Sequence, residues 1–164
     1  MKIKKFPLVS IIVNCFNGEE FLNKALDSIV KQTYNDWELI FWDVSTSDKS
    51  KKILDSYKEN RFRYFNSGLK KNLYHSRNEA IEVSNGEIIA FLDCDDLWLP
   101  TKLESQIAVM ESREDIALCY TRFESFSDNG VSQSDKYSSS GHIFKEMLTF
   151  YDIGILTVML RNSI

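Results

Sequence analysis

The sequence is poor in cysteine and glycine, and several well-known functional motifs are absent from it. Its three cysteines, Cys15, Cys94 and Cys119, are odd in number and form no C-x-x-C pair, so neither a disulfide framework nor a zinc site is indicated. Its six glycines form neither a P-loop nor a dinucleotide-binding fingerprint. G-x-S-x-G and H-E-x-x-H are also missing. Any bound phosphate must therefore be neutralised by a metal ion and side chains rather than by a glycine-rich loop.

The chain also lacks an excess of positive charge and any long apolar run. Twenty Lys and Arg residues against 24 Asp and Glu give a net charge of −4, which argues against nucleic acid as the main partner. No apolar stretch approaches the roughly 18 residues needed to span a bilayer. We therefore expect a soluble protein with at most peripheral membrane contact, and its free thiols favour the cytoplasm. The length of 164 residues suits one domain, residues 1–164.

Strand-like and helix-like segments alternate along the chain. Composition and periodicity predict strands at residues 8–13, 37–42, 62–65, 87–92, 116–126 and 156–160. Helices are predicted after an N-cap at Asn17 with Glu20 completing a capping box, after Ser47-Asp48, and at 73–84, 101–113 and 142–151, with Gly86 ending the third. Residues 127–141 are predicted to be a polar connection. This order predicts an α/β fold with a mostly parallel sheet, whose ligand lies at the carboxyl ends of the strands.

The strongest chemical signal is the acidic stretch Asp93-Cys94-Asp95-Asp96, which directly follows the apolar strand at 87–92. Carboxylates this close repel one another, and the repulsion is worse where water is excluded. A hard divalent cation such as Mg²⁺ or Mn²⁺ relieves it, because carboxylate oxygens are its preferred ligands. A solvated acidic turn that precedes the next helix is the alternative interpretation.

Further candidates stand at the ends of the first two strands. Asp43 ends the second strand, where a carboxylate can accept hydrogen bonds from a ribose or a base, although it could equally begin a turn. Among the aromatic residues, Trp42 and Trp98 are more typical of a core. Phe16 is the exception, since it directly follows the first strand and is a candidate for stacking on a base.

Two cations are expected near the same cleft. Arg77 could hold a diphosphate through two parallel hydrogen bonds, but an ion pair with Glu79 or Glu82 explains it equally well. Lys102 follows the acidic stretch and is the second cation.

Four segments, taken in order, resemble the bacterial family-two glycosyltransferases, which are inverting enzymes of the GT-A fold. They are V-S-I-I-V-N-C-F-N-G at 9–18, S-I-V-K-Q-T-Y at 28–34, the D-V-S-T-S-D stretch at 43–48, and R-N…G-E-I-I-A-F-L-D-C-D-D ending at Asp96. Each alone is weak, but together they span nearly the whole chain at the family's spacing. The resemblance implies a Rossmann-like, three-layer α/β/α sandwich that binds a nucleotide sugar.

The resemblance also implies roles for individual residues. Asp95 matches the carboxylate that binds the metal, Mn²⁺ or Mg²⁺, bridging the two phosphates of the donor. Asp93 matches the first acid of the D-x-D motif, near both the ribose and the metal. Arg77 matches a position close to the donor. The residues that match family positions around the base are Asn14, Phe16 and Asp43.

Two departures from the family pattern stand out. Many relatives carry a second acid after the one at Asp43, and it contacts the base, whereas Val44 occupies that position here. The family's general base, an aspartate in an E-D-type motif, is not matched anywhere in the chain. We therefore expect residues 1–164 to be the donor-binding part of a truncated transferase that lacks the acceptor side.

The expected function is transfer of a sugar from a nucleoside-diphosphate sugar to a saccharide or lipid-linked acceptor, with inversion, in the cytoplasm or at the inner face of the membrane. The first alternative is a non-catalytic nucleotide-sugar-binding or scaffolding domain, which Val44 and the unmatched base favour. The second is a sugar-phosphate nucleotidyltransferase, which the lack of a glycine-rich basic loop at 14–18 disfavours.

Overall fold

The computed structural model describes residues 7–44, 49–67, 73–127, 130–133, 139–149 and 153–162. Its strands are β1 (Val9–Cys15), β2 (Trp37–Asp43), β3 (Phe62–Asn66), β4 (Ile88–Asp93), β5 (Leu118–Cys119), β6 (Glu124–Ser127), β7 (Gly130–Gln133) and β8 (Met159–Arg161). Its helices are α1 (Leu22–Val30), α2 (Ser50–Ser56), α3 (Leu73–Glu82), α4 (Lys102–Ser112) and α5 (Phe144–Thr149), with a 3₁₀ turn at Ile155–Thr157. In the described part of the chain, no helix combines the length and the apolar character needed to cross a bilayer.

Six strands form the main sheet, in the order β3-β2-β1-β4-β8-β5. Strands β1 to β4 pair in parallel, and β8 runs antiparallel to both β4 and β5. β1 and β2 are buried along their whole length, as expected for central strands covered on both faces. The predicted α/β fold with a mostly parallel sheet is therefore confirmed.

Alternate residues of the strands point into two separate cores. Ile11 and Phe41 belong to the core packed against α1, α2 and α4. Ile12 and Ile40 belong to the core on the other face, which includes Ala80 of α3. Because strand side chains alternate between faces, the sheet is the middle layer between two layers of helices.

Two predicted strands differ from the structure. The strand predicted at 116–126 is split: only Leu118–Cys119 joins the sheet, and Glu124–Ser127 pairs with β7 in a separate hairpin. All four β6 residues are exposed, so no core holds this polar stretch against the sheet. The strand predicted at 156–160 begins as a 3₁₀ turn, in which Gly154 accepts hydrogen bonds from the backbone and hydroxyl of Thr157.

Two predicted helix boundaries are wrong. Asn17 does not cap α1; it has a φ of 51°, and the helix starts at Leu22 after the carbonyl of Gly18 accepts from two backbone amides. Gly86 is not a left-handed helix terminus, since α3 ends at Glu82. Instead it allows a close approach, because a Cβ at Gly86 would lie 2.6 Å from the backbone nitrogen of Ser10. The helix start predicted at Ser47-Asp48 falls outside the described residues.

At the sheet edge opposite to the predicted site, the carboxylate of Glu38 links several strands through hydrogen bonds. Glu38 of β2 accepts hydrogen bonds from Ser10, from Arg63 and from both the backbone and side-chain nitrogens of Asn85. Burial alone would raise the pKa of Glu38, but these hydrogen bonds together hold it below its ordinary value. Glu38 thus ties β1, β3 and the entry to β4 to one point, which fixes their relative register.

Candidate active site

The carboxyl ends of β1, β2 and β4 meet at one edge of the sheet. Asn14 is in register with Trp42 on one side and with Asp93 on the other. Cys15 is in register with Asp43. The structure therefore brings together three of the predicted site residues, Asn14, Asp43 and Asp93, on three adjacent strands. Neighbouring positions alternate in direction, so Asn14 and Asp93 share one face and Asp43 projects towards the other.

Arg77 of α3 reaches Asp93 across this edge. Its Nη2 donates to Oδ1 of Asp93 over 2.6 Å, and the two side chains are 20 % and 34 % exposed. The sequence left open an ion pair with Glu79 or Glu82; the structure pairs Arg77 with the first acid of the loop. A guanidinium has five donors, so this contact leaves several of them for a phosphate.

The acidic loop turns directly after β4. The backbone amide of Asp96 donates to the carbonyl of Asp93, which folds the loop back so that its carboxylates lie near one another. Burial, followed by the charges of Asp95 and Asp93, raises the pKa of Asp96 to about 6. Asp95 is exposed, and Asp93 is half-buried. The loop therefore concentrates negative charge at a partly desolvated strand end, where a cation is favoured.

The buried side chain of Asn14 has no hydrogen-bond partner among the residues that the structure describes. Its side chain is 3 % exposed, and neither its amide nitrogen nor its amide oxygen has a partner. The indole nitrogen of the adjacent Trp42 also lacks one. Buried polar atoms in native proteins are rarely left unsatisfied. Asn14 thus presents a donor and an acceptor at the strand end that no described protein group uses.

At the same edge of the sheet, Asp43 is buried and Phe16 is exposed. Asp43 is 4 % exposed and accepts a 2.8 Å hydrogen bond from the hydroxyl of Tyr64. Phe16 is 57 % exposed and follows β1 directly, as the sequence suggested for a stacking residue. Trp42 and Trp98 are buried, in agreement with their predicted core role. Val44 is buried in the core beneath α3.

Lys102 is not a free cation of the cleft, contrary to the prediction. Its ammonium lies 4.1 Å from the centre of the Trp98 ring and donates to Oε1 of Gln106. Desolvation lowers its pKa to about 7. Lys102 is buried because it lies on the inner side of α4, next to Leu103. Its charge led us to expect an exposed side chain.

Sequence reasoning missed Tyr64 and the thiol pair Cys15–Cys94. Tyr64 orients the carboxylate of Asp43 through its hydrogen bond. Because side chains alternate between the two faces of a strand, the position of Tyr64 in β3 is the sequence signal that could have indicated this contact. The proximity of the two thiols depends on the pairing of β1 with β4, for which the sequence held no signal.

Similarity to known proteins agrees with this architecture. The family model "Glycosyl transferase family 2" matches residues 10–162. Two Escherichia coli relatives, WfgD and WfaP, are each named a UDP-Glc:α-D-GlcNAc-diphosphoundecaprenol β-1,3-glucosyltransferase, and each is 32 % identical to this chain. The alignments cover 96 % and 95 % of this chain, and the chain spans 61 % of the length of each relative.

Solved structures share the fold at lower identity. Residues 1–349 of S. aureus TarS superpose with a TM-score of 0.75 at 21 % identity, covering 94 % of this chain and 47 % of that one. A Pyrobaculum calidifontis mannosyltransferase, solved with GDP-Man and Mn²⁺, gives 0.61 at 20 % identity over 70 % of this chain and 35 % of that one. With a family match over nearly its whole length and a sheet that superposes on these transferases, the chain belongs to glycosyltransferase family 2 and has the GT-A fold.

Proposed function

We propose that this chain binds the donor for transfer of a sugar from a nucleoside-diphosphate sugar to a hydroxyl of a saccharide or lipid-linked acceptor, with inversion at the anomeric carbon. The names of WfgD and WfaP support a UDP-sugar donor and a lipid-linked acceptor. A TarS structure that superposes with a TM-score of 0.74 was solved with UDP-GlcNAc. We further propose that the reaction takes place on the cytoplasmic side of a membrane, on the grounds that the three cysteines are free thiols.

The observation that carries the proposal is the convergence of unlike groups at one sheet edge. A buried amide with two unused polar atoms, an oriented carboxylate and an ion-paired carboxylate stand on three adjacent strands. An exposed aromatic side chain adjoins them. The carboxyl edge of a doubly covered parallel sheet is where ligands of such folds bind. A nucleoside with a charged diphosphate matches this mixture of polar, aromatic and charged groups.

The donor is expected to lie across the edge in a fixed direction. Its base is placed against Asn14 and Phe16, where an amide can read a donor and an acceptor on the base and an aromatic ring can stack. Its ribose lies towards Asp93, and Asp43 stays on the side of the base. Its diphosphate lies beyond Asp93, within reach of the free donors of Arg77.

The acidic loop suits a divalent cation held jointly with substrate. Among the described residues, no three His, Cys, Asp or Glu side chains converge to form a complete site. Mg²⁺ and similar ions are commonly held by one or two carboxylates together with substrate phosphates. Burial and the neighbouring charges of Asp95 and Asp93 raise the pKa of Asp96, which supports a cation at this loop. Asp95, with Asp93, would hold Mn²⁺ or Mg²⁺, which as a Lewis acid stabilises the charge of the departing diphosphate.

In the proposed reaction the acceptor hydroxyl attacks the anomeric carbon opposite the leaving nucleoside diphosphate, so a single displacement inverts the configuration. Arg77 stabilises the diphosphate, and Asp93 keeps Arg77 positioned while that charge develops. The acceptor hydroxyl must lose its proton to a general base, a role that we assign to none of the described residues.

Thermal unfolding with UDP, GDP, dTDP and CMP, each with Mn²⁺ and with a chelator, tests the proposal. A ligand at 100 times its Kd adds about 2.7 kcal/mol, which at this size raises Tm by roughly 5–10 °C. We expect such a rise with one nucleoside diphosphate and Mn²⁺, and its loss with chelator or in Asp95→Asn. Asp115→Asn, which removes an exposed carboxylate at the far end of α4, is the matched control and retains the rise.

A non-catalytic nucleotide-sugar-binding or scaffolding domain is the second candidate. The burial of Val44 favours it, because an apolar side chain stands where many relatives have an acid that contacts the base. Binding of a nucleotide sugar by a full-length protein that releases no nucleoside diphosphate in the presence of acceptors would favour this second function. The absence of any nucleotide-dependent rise in Tm would contradict both.

A further inference from the structure

Two cysteine thiols meet directly beneath the proposed donor site. Cys15 is the last residue of β1, and Cys94 is the middle residue of the acidic motif after β4. The pairing of Asn14 with Asp93 continues the register of these strands up to the two cysteines. The sulfur of Cys15 also lies 3.4 Å from the hydroxyl oxygen of Ser50, within hydrogen-bonding distance. Both side chains are buried, and they lie side by side at the ends of neighbouring strands.

The surroundings of Gly18 show that the sulfurs of Cys15 and Cys94 lie close together. A Cβ placed on Gly18 would lie 2.4 Å from the sulfur of Cys94 and 2.7 Å from that of Cys15. Both sulfurs therefore border the same small space beside Gly18, which places them next to each other. Cys15 is fully buried and Cys94 is 8 % exposed, so Cys94 is the thiol that a small reagent reaches first. Cys119, packed against Gln106, lies apart from the pair.

We propose that Cys15 and Cys94 form a disulfide on exposure to hydrogen peroxide, and that this disulfide weakens donor binding. The second half of the proposal rests on the proposed function, whereas the first half does not. A disulfide requires an S–S distance of about 2.05 Å, so the two sulfurs must move towards each other to form it. Because Cys94 is covalently joined to Asp93 and Asp95, and Cys15 to Asn14 and Phe16, that movement is transmitted to donor-binding residues on both strands.

The chemistry balances with one peroxide for each disulfide. Cys94 loses its proton and the thiolate attacks one oxygen of the peroxide, so the O–O bond breaks and sulfenic acid and hydroxide are formed. The hydroxide takes up the released proton and leaves as one water. The Cys15 thiol then attacks the sulfenic sulfur, the S–O bond breaks, and the S–S bond forms with release of a second water. The two thiols lose two electrons and two protons in total, and the peroxide is reduced to two waters. Burial makes the first step slow.

Intact mass and peptide mapping test the first half of the proposal. Peroxide-treated protein is expected to lose two hydrogen atoms, to yield a linked peptide pair containing Cys15 and Cys94, and to regain its mass with dithiothreitol. Cys119→Ser is the matched control and gives the same linked pair. In Cys15→Ala, dimedone is expected to trap sulfenic acid at Cys94. Linkage through Cys119, or no linkage before the protein unfolds, overturns the proposal.

Nucleotide affinity tests the second half. The oxidised protein is expected to bind its preferred nucleoside diphosphate with Mn²⁺ about tenfold more weakly, the size of an ordinary coupling between two sites. Dithiothreitol should restore the affinity, and Cys94→Ala should bind equally well before and after peroxide. An unchanged affinity in fully disulfide-bonded protein overturns the coupling. If the reduced protein binds no nucleotide, the proposed function fails, while the mapping experiment still decides on the thiol pair.

Discussion

Arg77 and Asp93 form an ion pair of 2.6 Å that ties α3 to the carboxyl end of β4. The pair holds a cation at the edge of a loop that otherwise gathers negative charge. Both side chains are partly exposed. The ion pair therefore orders them while a ligand can still reach them.

Replacing Arg77 is expected to weaken binding of nucleoside diphosphates much more than binding of the free nucleoside. Hydrogen bonds to charged groups contribute roughly 1.5–3 kcal/mol, so Arg77→Ala should raise the Kd for the diphosphate by about tenfold to a hundredfold. Arg113→Ala removes an exposed, ion-paired arginine and should leave both affinities unchanged. Calorimetric titration makes the comparison, and an equal loss for nucleoside and diphosphate would show that Arg77 does not contact the phosphates.

Asn14 is expected to lower the free energy of unfolding of the free protein and to contribute to nucleotide binding. Both of its polar atoms are buried without partners, and leaving a buried group unsatisfied costs about 1–3 kcal/mol. Asn14→Leu, of similar volume, should therefore raise the free energy of unfolding by about 1 kcal/mol or more, while weakening nucleotide binding about tenfold. Urea denaturation and nucleotide titration measure the two effects, with the exposed Asn35→Leu as control. A variant that loses stability would indicate that an ordered water already satisfies the amide.

The buried Lys102 should give the protein a rising stability profile above neutral pH. Desolvation lowers its pKa to about 7 in the folded chain, below the ordinary value of 10.5. Between these values the unfolded chain holds a proton that the folded chain has released, so the free energy of unfolding increases with pH. We expect a rise of about 1 kcal/mol per pH unit between pH 7 and 9.

Denaturation of two lysine variants isolates this effect. The rise should disappear in Lys102→Met and persist in Lys24→Met, which removes an exposed lysine of α1. The same slope in wild type and Lys102→Met would assign the pH dependence to another group.

Gly86 is expected to be intolerant of a side chain. A Cβ there would meet the backbone nitrogen of Ser10 at 2.6 Å and the carbonyl oxygen of Leu8 at 2.8 Å, and backbone atoms of a central strand cannot easily move. Gly86→Ala should lower the free energy of unfolding by roughly 1–3 kcal/mol. Glu87→Ala, at the next and exposed position, should change it by less than about 0.5 kcal/mol. Equal stability of the two variants would contradict the close approach.

The sequence was sufficient to predict the parts of the fold that depend on local pattern. β1, β2 and β4 are mainly apolar runs, and polar residues appear directly where they end, so Asn14, Asp43 and Asp93 could be placed on one edge. What could not be predicted depends on pairing between distant segments. The ion pair of Arg77 and the contact between Cys15 and Cys94 both require the register of strands.

Other predictions were wrong where a residue of one chemical type lies in an environment that is unusual for that type. Lys102 looks like a surface cation, but its aliphatic stem suits the inner side of α4 and its ammonium finds the Trp98 ring. Gly86 looks like a helix terminus, but close packing against β1 requires it. Phe126 looked like part of a core strand, yet it is exposed and pairs with Val131 in the hairpin.

The position of β8 between β4 and β5 has a consequence for how the protein forms during synthesis. β1, β2, β3 and β4 are all made by residue 93, so the edge that carries Asn14, Asp43 and Asp93 can assemble while the rest of the chain is still on the ribosome. Among the described strands, β5 pairs only with β8 in the sheet, so its described partner is missing until Met159–Arg161 has emerged. Nascent chains arrested shortly before and after β8 emerges should therefore differ in the protection of Leu118–Cys119, while β1 and β2 are already protected in both.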